Sequence, residues 1–476
     1  MGFLNRIDSY QDDMIRDLQG LLAIPGVAEE ADGDMPFGKD VHRAFLYMLG
    51  LAKKEGFVVF NADNYGGHIE FGGPTGEDEK SDKNDEIMGV LTHLDVVPAG
   101  KDWDYPPFEG HIEEGRIYGR GAIDNKGPTI AAFYAMKALK DEGIVPKKKI
   151  RLILGLDEEA GTGWKGMEAY FDRAKKPSFG FTPDAEFPAI HGEMGIMIFD
   201  LVKKIDKSRR KGVELRSLTG GNAANMVADY ARVVLNAESY ENIRIKIDEY
   251  EKVTGYKLSS KGIGRSLEVT AMGISSHGAR PEKGLNAISV LMGFLKTIDL
   301  ANDDLIDFID FYNEHIGFNL NGENIGCGFS DLVSGKLIFN VGMAEFNDEV
   351  VKLTVNIRYP VTLNEERVYS QMMPFLDKYE IGVVKTNHQP PIYIPADSPL
   401  IETLMGVYRK HTGDTESKPL VIGGGTYARA MENAVAFGMA FPDEPELAHQ
   451  KNEYITIDNF VKAAKIFADS IYELTK

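Results

Sequence analysis

The sequence predicts an α/β fold: a mixed central sheet flanked by helices, discontinuous in sequence, with an inserted α+β domain of two related halves. Three observations carry this. Short apolar runs at residues 87–92 (IMGVLT) and 150–156 (IRLILGL) flank a helical stretch at 128–142, which is a strand–helix–strand rhythm. After Asp184 the pattern changes to three blocks of a strand followed by a helix, and from about residue 385 the earlier character returns. At 476 residues the chain exceeds what one ordinary core holds. The expected domains are therefore 1–187 joined with 385–476, and an insertion at 188–384.

Residues 1–22 read as an amphipathic helix carrying Arg6, Asp8, Asp12, Asp13 and Arg16. The stretch lacks the unbroken apolar core of a signal peptide. Arg6 stands where a myristoylation signal needs Ser or Thr. The apolar runs at 87–92 and 150–156 suit strands buried on both faces. Between them, Pro128 presets the first helical turn, Ile130, Phe133, Tyr134, Met136 and Leu139 supply apolar bulk, and Gly143 follows the end. The acidic, glycine-rich stretch 72–86 reads as a solvated surface loop. In the insertion, strands at 213–218, 267–272 and 351–358 precede helices near 226–236, 286–297 and 364–378. Beyond it, Ser398 caps a helix at 398–410, a strand at 421–425 enters a glycine turn, and a helix at 457–474 follows.

Composition narrows the function. Hydrophobic residues make up 43% and charged residues 26%, as in an ordinary globular protein. The net charge of −20 (53 basic against 73 acidic residues) repels phosphate backbones and anionic membrane surfaces. No run of about 18 apolar residues is present, so no membrane span is expected. A lone cysteine, Cys327, excludes an internal disulfide and a thiolate zinc site, and fits a cytoplasmic location. It sits between Gly326 and Gly328 with no base beside it, and so reads as bland.

The residue types that carry chemistry are dispersed. His93 and Asp95 form an H-x-D pair at the end of an apolar strand, where open α/β sheets bind ligands. His93 can coordinate a metal while Asp95 accepts its other ring N–H. Asp124 lies in a glycine-rich turn before a helix, from which a carboxylate can bridge two cations. Glu158 and Glu159 follow the second apolar strand; adjacent side chains there diverge, so one can bind metal while the other reaches an attacking water. Asp184 follows Pro183, and His449 follows an acidic loop. Each alone has a plainer reading: a loop histidine, a turn or cap aspartate, a solvated acidic face. Together they offer nitrogen and oxygen ligands without sulfur, which suits Zn(II), with Mn(II) or Co(II) as alternatives. No G-x-G-x-x-G follows a strand and no H-E-x-x-H occurs, which disfavours a dehydrogenase and a zincin.

As a set, these motifs resemble the co-catalytic metallopeptidase family that includes aminoacylase, glutamate carboxypeptidase, succinyl-diaminopimelate desuccinylase and the PepV-type dipeptidases. The likeness spans nearly the whole chain. It is closest to the PepV type, through the long insertion and the stretch Thr182-Pro183-Asp184-Ala185-Glu186-Phe187-Pro188. The resemblance implies two divalent cations, one on His93, Asp124 and Asp184, the other on Asp124, Glu159 and His449. It implies Glu158 as the general base for a water between the cations, with Asp95 orienting His93. The insertion would be a lid whose loop at 273–281 brings His277 to the oxyanion. Asn225 and Arg358 would recognise substrate, and Gly424, Gly425 and Thr426 would line the pocket. The implied reaction is hydrolysis of dipeptides with a free N-terminus by a monomer. An N-acyl amino acid deacylase or desuccinylase is the alternative within hydrolases, and a non-catalytic binding module the alternative outside them.

Overall fold

The computed structural model describes residues 2–73, 86–160, 163–206 and 210–476. Most of the loop expected at 72–86 lies outside the described residues. Two compact units emerge: Met1–His191 with Ile394–Leu420 and Gly425–Lys476, and Gly192–Tyr393 with Val421–Gly424.

The first unit is built on a mixed sheet. Its strands run Val58–Asn61, Gly67–Gly72, Lys149–Gly155, Ile87–His93, Phe179–Thr182, then Ala434–Ala436. The last four are mutually parallel, and the first two close one side as an antiparallel hairpin. Ile87–His93 is buried at every position, as a central parallel strand requires. The helix Lys126–Asp141 begins two residues before Pro128 and buries almost all its surface, so it is a core helix rather than a surface one. It packs on the helix Ile457–Thr475. One helix was expected over residues 1–22. Two form instead, Gly2–Ser9 and Gln11–Leu22, because Tyr10 adopts ψ near 0° and turns its hydroxyl to Asp141 at 2.7 Å.

The second unit is an eight-stranded antiparallel sheet with its own apolar core. The order is Leu258–Ile263, Ser266–Met272, Tyr230–Asn236, Glu214–Gly220, Ile338–Phe346, Val350–Tyr359, Gly195–Lys204, Gly382–Gln389. Two four-stranded halves meet between Glu214–Gly220 and Ile338–Phe346. In each half a strand (Tyr230–Asn236 or Val350–Tyr359) passes through a helix (Glu241–Thr254 or Glu365–Lys378) to the outermost strand. Asn286 and Asn364 cap the helices Ala287–Leu295 and Glu365–Lys378 with their side chains.

The helix expected near 226–236 is a strand, Tyr230–Asn236. Its residues alternate between exposed and buried from Tyr230 to Arg232 and on to Asn236, and Val233, Val234 and Leu235 suit a pleated ladder better than a helical stripe. Cys327 is fully buried, and burial pushes its thiol up to about 12, which keeps it protonated. Among the described residues no helix is long and apolar enough to cross a membrane.

Candidate metal centre

The parallel strands of the first unit put their carboxyl ends on one edge. His93 is the last residue of its strand, Glu158 and Glu159 follow Lys149–Gly155, and Asp184 follows Phe179–Thr182. Asp124 arrives from the turn ahead of Lys126–Asp141, and His449 from the segment beyond Ala434–Ala436.

The two carboxylate oxygens of Asp124 face different histidines. Oδ1 lies 3.0 Å from His93 Nε2, and Oδ2 lies 3.1 Å from His449 Nε2. His93 Nε2 is 3.5 Å from Asp184 Oδ1, and His449 Nε2 is 2.6 Å from Glu159 Oε1. The side chains thus fall into two groups, His93–Asp124–Asp184 and Asp124–Glu159–His449, that share Asp124. Ligand-type atoms of His93, Glu158 and Asp184 also lie within 4.8 Å of one another, as do those of His93, Asp124 and Glu159.

His93 Nδ1 lies 2.9 Å from the main-chain carbonyl of Asp95 and 3.5 Å from its carboxylate. The expected orienting contact is therefore made by the backbone of Asp95. A carbonyl can only accept, so Nδ1 carries a hydrogen, and Nε2 is left to face Asp124 and Asp184. Neither His93 Nε2 nor Asp124 Oδ1 has a hydrogen-bond partner, although both are buried. Once the ring gives up its second proton, both atoms are inward acceptors, which fits a cation.

The electrostatics agree. Burial and then Asp184 raise Glu158 well above the usual carboxylate range, and burial and Asp124 raise Glu159. Asp184 is raised by burial despite His93. Burial would raise Asp124 too, but His449 and His93 outweigh it and hold it low. Burial would lower both histidines, yet the surrounding carboxylates raise them, His449 to about 11. Without cations, protons on the histidines balance the crowded carboxylates. Cations would take over that task.

A supporting layer fixes these groups. The Asp95 carboxylate accepts the N–H of Glu158 at 3.1 Å and of Glu159 at 2.8 Å. The Asn125 amide donates to Pro183 O at 2.9 Å and Asp184 Oδ1 at 3.0 Å. Asp157 accepts from Tyr427 Oη and from the Gly166 N–H. The fully buried Glu453 grips the turn that carries Asp124. Burial pushes Glu453 up to about 7. Sequence reasoning missed Asn125, Asp157, Tyr427 and Glu453. Their only sequence signal is adjacency: Asn125 and Asp157 border named residues, and Glu453 is four residues past His449.

The second unit gathers other expected residues. The Gly278 N–H donates to Asn225 O at 2.7 Å, and Met226 bridges to His277. His277 Nδ1 accepts from the Ala279 N–H at 3.3 Å. A Cβ on Gly423 would lie 3.0 Å from Ala279 Cβ and 3.7 Å from Arg358 Cγ, so the backbone leading into Gly424 runs against Arg358. Gly425 and Thr426 belong to the first unit, where Thr426 caps the turn Tyr427–Ala430 through the Ala428 N–H.

A mixed sheet with acids and histidines converging on its carboxyl edge fits a metal-dependent hydrolase. The chain belongs to peptidase family M20/M25/M40, whose model matches residues 89–473. It is 37% identical over 481 residues to a "putative dipeptidase" of Staphylococcus saprophyticus, covering 99% of this chain and 98% of that one. A "putative dipeptidase" of Staphylococcus aureus is 37% identical over 480 residues, with 98% of each covered. Among solved structures, human carnosine dipeptidase 1 superposes with a TM-score of 0.60 at 16% identity, over 99% of this chain and 98% of that one. Aminoacylhistidine dipeptidase from Vibrio alginolyticus gives 0.57 at 17%, over 97% and 96%. The protein is a metallopeptidase whose His93, Asp124 and Glu159 form a group able to hold a metal ion.

Proposed function

We propose that this metallopeptidase is a dipeptidase that cleaves the amide bond of dipeptides with a free N-terminus. The pair of ligand groups sharing Asp124, with Glu158 beside them, carries the amide hydrolysis, and the 37% identical relatives described as putative dipeptidases support the dipeptide substrate. His93, Asp124 and Asp184 would hold one divalent cation, and Asp124, Glu159 and His449 a second; Zn(II) suits the donors, with Mn(II) or Co(II) as alternatives. Two such cations supply Lewis acidity to the scissile carbonyl and lower the pKa of a water.

The chain's own residues do the rest. Glu158 takes a proton from the attacking water and hands it to the leaving amine. Its place among the ligand-type atoms of His93 and Asp184 suits both duties. The carbonyl of Asp95 holds the His93 ring in one tautomer, and its carboxylate holds the Glu158–Glu159 backbone. His277 donates to the oxyanion. Arg358, with Asn225, binds the substrate's terminal carboxylate, and Gly424, Gly425 and Thr426 line the pocket. The first unit is the catalytic domain and the second its lid. Because the lid holds both of its halves in one chain, a monomer suffices. The single, buried Cys327 fits a cytoplasmic setting.

The test compares kcat/KM on a dipeptide, its N-acetylated form and its C-terminal amide. A dipeptidase prefers the free dipeptide, and Arg358→Met raises KM on it by about 10-fold or more while leaving the amide unaffected. Preference for the acetylated form would favour a deacylase.

A further inference from the structure

We propose that Glu453 is a positioning residue for the cation centre: it holds the backbone of Asp124 so that both carboxylate oxygens are aimed before any cation arrives. This rests on the cation centre proposed above. Glu453 Oε1 accepts the N–H groups of Gly121 at 3.0 Å, Ile123 at 2.9 Å and Asp124 at 3.2 Å. Its Oε2 accepts from Arg120 Nη1 at 2.5 Å. Four donors from five consecutive residues converge on one carboxylate, which is an anion held in a concave nest of main-chain N–H groups. Glu453 is fully buried, and Arg120 is nearly so.

The two chain segments also run side by side. The Gly119 N–H donates to Glu453 O at 2.9 Å, and Tyr454–Thr456 pairs antiparallel with Arg116–Tyr118. Glu453 follows His449 by four residues. One short segment therefore delivers a histidine to Asp124 Oδ2 and clamps the backbone from which Asp124 projects. Arg120 neutralises the clamp's charge, and its guanidinium lies over the Trp103 ring at 5.3 Å. The nest shapes the turn without adding net charge to a site already crowded with carboxylates.

The experiment uses the full-length protein and its Glu453→Gln variant, which keeps the shape and one acceptor oxygen. Zn(II) affinity is measured by chelator competition, and Co(II)-substituted protein is followed by visible absorption. Expected is a 10–100-fold loss of Zn(II) affinity and altered Co(II) bands in a variant whose circular dichroism matches wild type. Wild-type affinity and bands in Glu453→Gln, with only a lowered melting temperature, would overturn the proposal and leave the cation centre standing. Failure of the wild-type protein to bind Zn(II) would overturn both. If Glu453→Gln does not fold, hydrogen exchange on cation-free wild type decides. Slow exchange at Gly121, Ile123 and Asp124 supports the clamp, and free exchange at all three removes it.

Discussion

The carboxylate of Asp95 accepts the main-chain N–H of Glu159 at 2.8 Å, and with its other oxygen that of Glu158 at 3.1 Å. The carbonyl of the same residue holds His93 Nδ1. The duties are separable, because substitution removes the carboxylate and spares the carbonyl. Asp95→Ala should therefore keep its cation content while kcat falls by about 10²-fold, the cost of misplacing reacting groups by about an ångström. Steady-state kinetics with metal analysis of the variant test this. Loss of bound metal in proportion to activity would contradict it.

Glu158 is assigned the proton transfers, so Glu158→Gln should lose about 10²–10⁴-fold in kcat with little change in KM. Glutamine keeps the size and the backbone contacts to Asp95. A variant as active as wild type would remove Glu158 from the mechanism.

Cation binding should release protons. In the cation-free protein, burial lowers His449, but Asp124 and Glu159 raise it to about 11, so the ring is charged across the neutral range. With the folded value above the unfolded one, this proton stabilises the cation-free fold at low pH. That contribution is lost as pH rises through about 11. A metal ligand must be neutral, so Zn(II) has to displace the proton, and its affinity should rise with pH. Calorimetry in buffers of different ionisation enthalpy counts the protons. Zero released at neutral pH would refute the assignment. Chelation should abolish activity, and added Zn(II) or Mn(II) should restore it.

His68 gives the fold an acid-sensitive point remote from these duties. It is buried, stacks on Phe60 at 5.1 Å and pairs through Nδ1 with Tyr170 Oη at 2.8 Å. Burial, then Arg151, lowers it to about 4. The folded value lies below the unfolded one, so the contribution is complete above about pH 6.5 and is lost as pH falls towards about 4. Between about pH 7 and about pH 5 this amounts to about 2 kcal/mol. Urea unfolding of His68→Gln at both pH values should show a correspondingly smaller acid loss than wild type. Equal losses would exclude His68 as the cause.

Much of the fold was legible because its central elements obey one simple rule each. The strand Ile87–His93 announces itself as an apolar run, and Asn286, Asn364 and Ser398 announce helix starts by capping chemistry. The strand Tyr230–Asn236 was misread because a short run of Val233, Val234 and Leu235 fits either period, and its β-branched content had to arbitrate. At the site, residue type pointed to the side chains that the structure brings together around Asp124. The carbonyl of Asp95 and the nest around Glu453 were not legible. Both depend on backbone groups, which every residue has, and on chain segments that meet only in the folded state.

The strand Ala434–Ala436 lies parallel to Phe179–Thr182 and brings the segment bearing His449 behind it. On the ribosome, that strand emerges only after the entire second unit. Until it docks, Phe179–Thr182 offers a bare edge of unpaired N–H and C=O groups, open to association with other nascent chains. The docking that seals this edge also brings His449 towards Asp124 and Glu159. Completion of the sheet and assembly of the proposed cation centre are thus one late event in the making of the chain.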